Sequence, residues 1–330
     1  MKLNINLNQK IRGIGMYFPI LRGRQYDLLA LRDLKRHGRL SSNIVPIIEP
    51  IKLSSTLQTT VREFENDESN LIIISNPKVG SLIDELRIPA VNRQYQELMS
   101  SSSVIIGHFI NRDSQSQINN LIQEFGIVIE DLAIIHSERS LVTIYREIYD
   151  GVIPWINVIP SDNAFRRQLN DQELVALDDK FNKLPRNADY LENEVEFFSE
   201  EHMYFSDEGY IGFSDYSIVG LEYNEGGFAP YAVAIHIVYP NSENTLEIIH
   251  FVSDSNDDIS DPAGKFFEAI EKLYDWYQDY SYDVRMNTLA MQTFIEHYNN
   301  GTYPGLPTIK KLSIMHHLEL VGTLLDGVQE

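Results

Sequence analysis

Short runs of Ile, Val and Leu recur along the chain, and most are followed by a stretch whose apolar residues return every three or four positions. MYFPIL (16–21) comes first. Behind it, YDLLALRDLKRHG places Leu28, Leu31 and Leu34 on one helical face, with Gly38 suited to a C-terminal cap. IVPIIEPI (44–51), LIIISNP (71–77), VIIGHFI (104–110), LAIIHSE (132–138), VIPWINVI (152–159), ELVALDD (173–179) and GYIGFSDYSIVG (209–220) continue the series. Helical stretches such as TLQTTVREFEN, SQSQINNLIQEFG, LVTIYREIYDG and AFRRQL lie between them. Most of the runs are continuously apolar rather than alternating, the pattern of strands buried on both faces. Strands alternating with helices imply parallel pairing through right-handed crossovers, and eight units suggest closure into a (β/α)8 barrel of the TIM type. The alternative is an open, doubly wound α/β sheet, because pattern alone does not show closure.

The pattern changes after the eighth run. YAVAIHIVY (231–239) and TLEIIHFVS (245–253) alternate about a PNSEN turn and predict an antiparallel hairpin. An acidic loop follows, with Asp261 as N-cap and Pro262 at the first helical position. Three helices complete the chain: FFEAIEKLYDWYQDY, TLAMQTFIEHYNNG and a last one from Pro307 to about Asp326. The expected organisation is a barrel over 1–225 and, over 226–330, a hairpin with helices packed on it rather than an independent domain. The stripe Phe266, Phe267, Tyr274 and Trp276 reads as packing between helix and barrel.

Composition narrows the function classes. The 330 residues carry 48 acidic and 27 basic side chains, a formal charge of −21. Such a surface repels phosphate backbones, so direct nucleic-acid binding is disfavoured. The chain has no cysteine, which excludes thiolate nucleophiles, disulfides and Cys-ligated zinc. The first 15 residues lack the apolar stretch of a signal peptide, and no run reaches the ~18 apolar residues of a membrane helix. A cytoplasmic location is expected, away from membranes. Neither RGIG nor RGR matches a Walker or dinucleotide fingerprint, so no cofactor is implied.

Active sites of parallel barrels sit at the C-terminal ends of the strands. Polar residues at those ends are Arg22 and Arg24, Glu49, Asn76, His108, His136 with Glu138, Asp178 with Asp179, and Asp215. Guanidinium groups suit an anionic ligand. Glu49, between two prolines in an apolar run, could be a catalytic acid or the buried partner of Arg22 or Arg24. His136 could be a proton carrier or a hydrogen-bonded core residue. Asp178 and Asp179 could cap a loop or hold a metal. His236 and His250 fall on facing hairpin strands, and with Asp215 could bind a divalent cation, although no compact ligand motif occurs. His316 and His317 read as surface or packing residues.

MYFPILRGRQYDLLALRDL, VPIIEPIK, IIISNP, LDDKFNKLPRNADY, GFSDY and YAVAIHIVY together resemble segments of the "beta protein" family of bacterial and phage proteins. They span Met16 to Tyr239, about two thirds of the chain. The resemblance implies a barrel-like α/β protein from bacterial accessory or mobile-element loci, often encoded beside a partner gene, and implies no particular reaction. It adds Arg186, Asn187 and Asp189 to the residues of interest.

Two functions of different class fit these observations. One is a hydrolase or lyase for an anionic small molecule, held by Arg22 and Arg24 with Asn76, His136, Arg186 and Asn187. Glu49, Asp179, Asp215 and His236 would then supply acid–base or metal chemistry. The other is a non-catalytic interaction or sensor subunit of a phage-defence or mobile-element module, docking the product of a neighbouring gene through its acidic surface and C-terminal helices.

Overall fold

Twelve strands and eleven helices carry the chain in a computed structural model that describes residues 16–224 and 230–327. In chain order the strands are β1 (Met16–Tyr17), β2 (Ile20–Leu21), β3 (Ile47–Ile48), β4 (Leu71–Ile74), β5 (Val104–Phe109), β6 (Ala133–Ile135), β7 (Ile156–Pro160), β8 (Leu174–Leu177), β9 (Val195–Ser199), β10 (Gly212–Ser214), β11 (Ala234–Pro240) and β12 (Leu246–Val252). β1 and β2 are one strand interrupted at Pro19, which has no N–H for the ladder. This strand pairs in parallel with β10 on one side and β3 on the other. The Phe18 and Ile20 amides donate to Phe213 O and Asp215 O, both at 2.8 Å, and the Ile47 amide donates to Pro19 O at 2.8 Å. The remaining neighbours, β3 to β8 and then β10, are also parallel. The sheet is therefore a closed barrel of eight strands, and the open-sheet alternative is set aside.

The helices are α1 (Gln25–Arg36), α2 (Ser55–Asn66), α3 (Leu82–Glu85), α4 (Pro89–Met99), α5 (Ser114–Phe125), α6 (Val142–Tyr149), α7 (Asn163–Gln168), α8 (Glu201–Tyr204), α9 (Pro262–Tyr280), α10 (Leu289–Asn300) and α11 (Leu306–Leu325). α1 ends where Gly38 takes a left-handed φ of 64°, and the Asp261 side chain caps α9 by accepting from the Gly264 amide. The boundary expected at 225/226 and segment 1–15, on which the signal-peptide reading rests, lie outside the described residues.

Two separate apolar clusters sit on either side of the barrel wall. Phe18, Ile20, Ile47, Ile72, Ile74, Val158 and Val175 fill the interior, closed at the bottom by Trp155 packed edge-on against Phe18. Gly107 belongs to this inner set, because a Cβ there would lie 2.8 Å from Ile72 Cγ2. Tyr17, Leu21, Ile48, Ile73, Ile134 and Phe213 point the other way and join the helices in the outer cluster. At roughly 1.5–3 kcal/mol for each large buried side chain, both clusters contribute substantially.

The antiparallel hairpin forms as expected, β11 against β12, but a third strand joins it. β9, from the insertion between the seventh and eighth barrel strands, pairs antiparallel with β12. One face of this small sheet meets α11, where His316 Nε2 lies 2.7 Å from Val238 O. The opposite face carries α9, with Trp276 against Tyr239 and Phe251. The aromatic stripe thus packs on the small sheet and on α10 (Tyr274 stacks on Tyr298), and not on the barrel. α11 in turn lies against α1 and covers the wall at β1.

Candidate functional site

The C-terminal mouth of the barrel gathers part of the expected set. Alternation along each strand turns Arg22 inward after Ile20, Glu49 after Ile47 and Asp179 after Leu177. Arg22 and Glu49 are 7% and 0% exposed and form an ion pair. Gly23 lets the chain turn beside them, since it holds a φ of 63° with Glu49 O and Pro50 3.1 Å from where a Cβ would stand. The second Glu49 oxygen accepts from the Lys78 amide at 2.7 Å. Both carboxylate oxygens are therefore occupied.

Arg22 also donates to Leu221 O, and its guanidinium lies 5.1 Å from the centre of the Tyr216 ring. Arg24 donates to Asn224 O and stacks over Tyr223, while Lys183 Nζ donates to Glu222 O at 3.3 Å. Asp179 accepts from the Leu221 amide at 2.9 Å. Burial raises the Asp179 carboxyl above its ordinary range, with Asp215 among the smaller contributors. Segment 221–224 thus crosses the mouth, tied down by Arg22 and Arg24, which the sequence offered for ligand binding, by Asp179, offered as catalytic, and by Lys183, which it did not single out. Burial pushes the Tyr216 hydroxyl up to about 12; Arg22 opposes the shift and Glu49 and Asp179 add to it. Tyr216 and Lys78 belong to the mouth although the sequence reading did not select them. Lys78 Nζ reaches Ser137 Oγ at 2.9 Å and lies 4.5 Å from the Phe109 ring centre. Position was the signal for both: Tyr216 follows Ser214, and Lys78 follows Asn76, by the two-residue step of a strand.

Asn76 acts as an extra rung of the ladder. Its side chain accepts from the Phe109 amide at 2.8 Å and donates to Phe109 O at 2.9 Å. An open depression of about 550 Å³ lies elsewhere, lined by Ser161, Asn163, Arg166, Asp207, Glu208 and Tyr210, and includes none of the mouth residues.

Asp215 corrects the expectation of one converging rim. It follows Phe213, which faces outward, so its carboxylate lies between the wall and α11. It accepts from Tyr17 Oη at 2.5 Å and from the Ser217 amide at 2.7 Å. His317 Nδ1 is 2.8 Å from Ser217 Oγ, and its Nε2 is 4.0 Å from Asp215. Serine, histidine and aspartate in that order resemble a hydrolytic triad, and Ser217 holds a φ of 51°. Yet Ser217 is 0% exposed and His317 1%, so no substrate reaches the hydroxyl. Burial raises the Asp215 carboxyl to about 6 and lowers the His317 imidazole to about 3.

His136 likewise points outward, into an aromatic nest of Tyr145 and Phe165, with Nε2 2.9 Å from Asn157 Oδ1. Burial lowers it to about 4. His108 contacts Ser114 Oγ at 2.9 Å on the same outer side. Both are core histidines, which for His136 is the plainer of its two readings.

His236 and His250 are cross-strand partners, as the hairpin predicts, with Nδ1 atoms 2.7 Å apart between Phe181 and Tyr190. At that separation one ring donates and the other accepts, so the two Nδ1 atoms satisfy each other, while His250 Nε2 is buried without a hydrogen-bond partner. Among the described residues no group of three or more His, Asp or Glu stands in a metal-binding arrangement, and Asp215 meets Tyr17 rather than this pair. Arg186 is exposed and Asn187 donates to Ala232 O at 2.8 Å, tying the insertion to the hairpin. Neither reaches Glu49 through any hydrogen bond described. No helix among the described residues is long and apolar enough to cross a membrane. No family model, no curated protein and no solved structure matches the chain.

Proposed function

We propose that the barrel is a non-catalytic interaction subunit, acting with a protein partner encoded beside it in a bacterial accessory or mobile-element locus. One observation carries the reading. The ionisable groups of the mouth are engaged by the fold: Arg22 by Glu49 and Leu221 O with only its Nε unpartnered, Glu49 also by the Lys78 amide, and Asp179 by the Leu221 amide. A catalytic mouth keeps convergent polar groups available to a ligand. The resemblance to the "beta protein" family supports the partner. The test is a Glu49→Gln variant together with affinity purification at native expression and low salt. The interaction reading expects a lowered melting temperature and a co-purifying partner. A variant that melts like the parent while losing a measurable activity would reinstate the enzyme.

A second reading, an anion sensor, has its own support. Arg22, Arg24 and Lys183 all donate to backbone carbonyls of segment 221–224. A neutral carbonyl is a weaker partner for a cation than a phosphate or carboxylate. An anionic metabolite could therefore displace the segment. Thermal-shift screening with phosphorylated metabolites and divalent ions tests it, with stabilisation lost in Arg24→Ala as the expected result.

A further inference from the structure

The interaction reading leaves open which surface docks and what it selects, and the small sheet offers an answer. β9 pairs with β12 alone among the described residues, so its other side is a free edge. The His250 amide donates to Glu194 O at 2.8 Å, which directs the backbone groups of residues 194 and 196 toward β12. Those of Val195 and Phe197 then point outward, away from any strand. Natural edges are protected by Lys, Pro or a covering element. Between Asn187 and Glu201 the edge has neither Lys nor Pro, and no strand among the described residues covers it; the one bulge, at Phe198, comes after Val195 and Phe197, whose side chains are apolar. Val195 is 41% exposed and Phe197 59%, on the sheet face that α9 covers only over β11 and β12. Around them the same stretch holds six acids, Asp189, Glu192, Glu194, Glu196, Glu200 and Glu201, and no Lys or Arg.

We infer that β9 is a docking edge for an extended segment of a basic partner, which adds a fourth strand with apolar side chains over Val195 and Phe197 and Lys or Arg toward the glutamates. Main-chain bonds supply affinity in such strand addition, and alternate side chains supply selectivity. Charge decides against a second copy of this chain: β9 on β9 would set six acids against six, whereas a cationic strand is attracted. The proposal rests on the interaction reading and narrows it to one edge and one partner chemistry.

The probe is a blocked octapeptide of alternating Val and Lys, titrated against the full chain. Its control is the same composition in block order, four Val then four Lys, equal in charge but unable to segregate its faces. Two variants complete the test. Val195→Pro removes an outward N–H and leaves the β12 ladder intact. Phe197→Glu deletes the apolar contact while adding charge of the attracting sign. The alternating peptide should bind the parent at least about tenfold more tightly than the block peptide, and each variant should lose about tenfold. Equal binding of the two peptides, or tighter binding by Phe197→Glu, would reduce the effect to long-range charge and overturn the proposal. Sedimentation showing a parent dimer that Val195→Pro abolishes would overturn the choice of a foreign partner. In native purification, a partner retained by both variants sinks the edge but leaves the interaction reading standing. No partner for the parent sinks that reading itself.

Discussion

Glu49 and Asp215 flank the same first strand, the one through the Leu21 carbonyl and the other through the Ile20 amide, yet they lie on opposite faces of the barrel wall. Inside, Glu49 has a guanidinium and an amide. Outside, Asp215 has a phenol and an amide, and the imidazole 4.0 Å away is kept neutral by burial. The inner face thus holds its charge as a matched pair. The outer face around Asp215 is built from neutral polar groups, and burial there raises the one carboxyl to about 6. A position at a strand end does not make a site; the face that the side chain takes decides what it can do.

Acid should expose this difference most strongly. His108, His136 and His316 are lowered to about 4 and His317 to about 3, all by burial and all outside the barrel. A folded value below the ordinary 6.5 means that the stabilising contribution is complete above that pH and lost as pH falls toward 4. Each histidine is worth about 3 kcal/mol over that window, so the four together, about 12 kcal/mol, are comparable with the whole 5–15 kcal/mol of a typical margin. The protein should unfold cooperatively between pH 6 and 4, followed by circular dichroism. Retention of the native signal at pH 4 would mean that these rings are not buried neutral.

Arg22→Met comes next and acts on the inner face alone. It leaves Glu49 without its cation at 0% exposure, a loss of about 3–5 kcal/mol. Urea unfolding should show a lower midpoint at unchanged slope. A loss under about 1 kcal/mol would mean that solvent or a ligand reaches the mouth.

Asp215→Asn should have the opposite sign. The folded carboxyl sits near 6, above its ordinary 3.8, so protonation stabilises below 3.8 and that benefit disappears as pH rises through 6. At pH 7 the buried charge costs about 3 kcal/mol. Asparagine keeps an acceptor for Tyr17 and Ser217 and adds a donor for His317 Nε2, which has no partner. The variant should be more stable than the parent by about 1–3 kcal/mol at pH 7, with the gain vanishing toward pH 4. Destabilisation at pH 7 would show that the ionised acid is itself required.

How much of this was legible in the sequence follows from the same two faces. Continuous runs such as LIII and AII locate buried parallel strands because both faces are apolar, and the barrel follows from eight of them. That very feature hides direction: in GFSDY nothing distinguishes the parity of Phe213 and Asp215 from that of Ser214 and Tyr216. Arg22, Glu49 and Asp179 could be placed at the mouth, but Asp215 and His136 could not be excluded from it. β9 was illegible for another reason. EVEF alternates, but over only four residues before the bulge at Phe198, and its apolar members Val195 and Phe197 stay exposed, so it lacks the apolar run that marks the barrel strands.

The smallest effect on stability is expected where the proposed effect on docking is large. Phe197 is more than half exposed, opposite Glu247 on β12, and its neighbour Phe198 carries the buried contact with His317. Phe197→Glu therefore removes little core and places one more acid beside Glu247. Like charges directly across a strand pair cost a few tenths of a kcal/mol, and surface changes generally stay within about 0.5 kcal/mol. The unfolding midpoint should hardly move, which makes any loss of strand addition a property of the edge. A drop above about 2 kcal/mol would instead mean that Phe197 belongs to the packed layer under α9. The exposed face would then be part of the fold, with no edge left for a partner to complete.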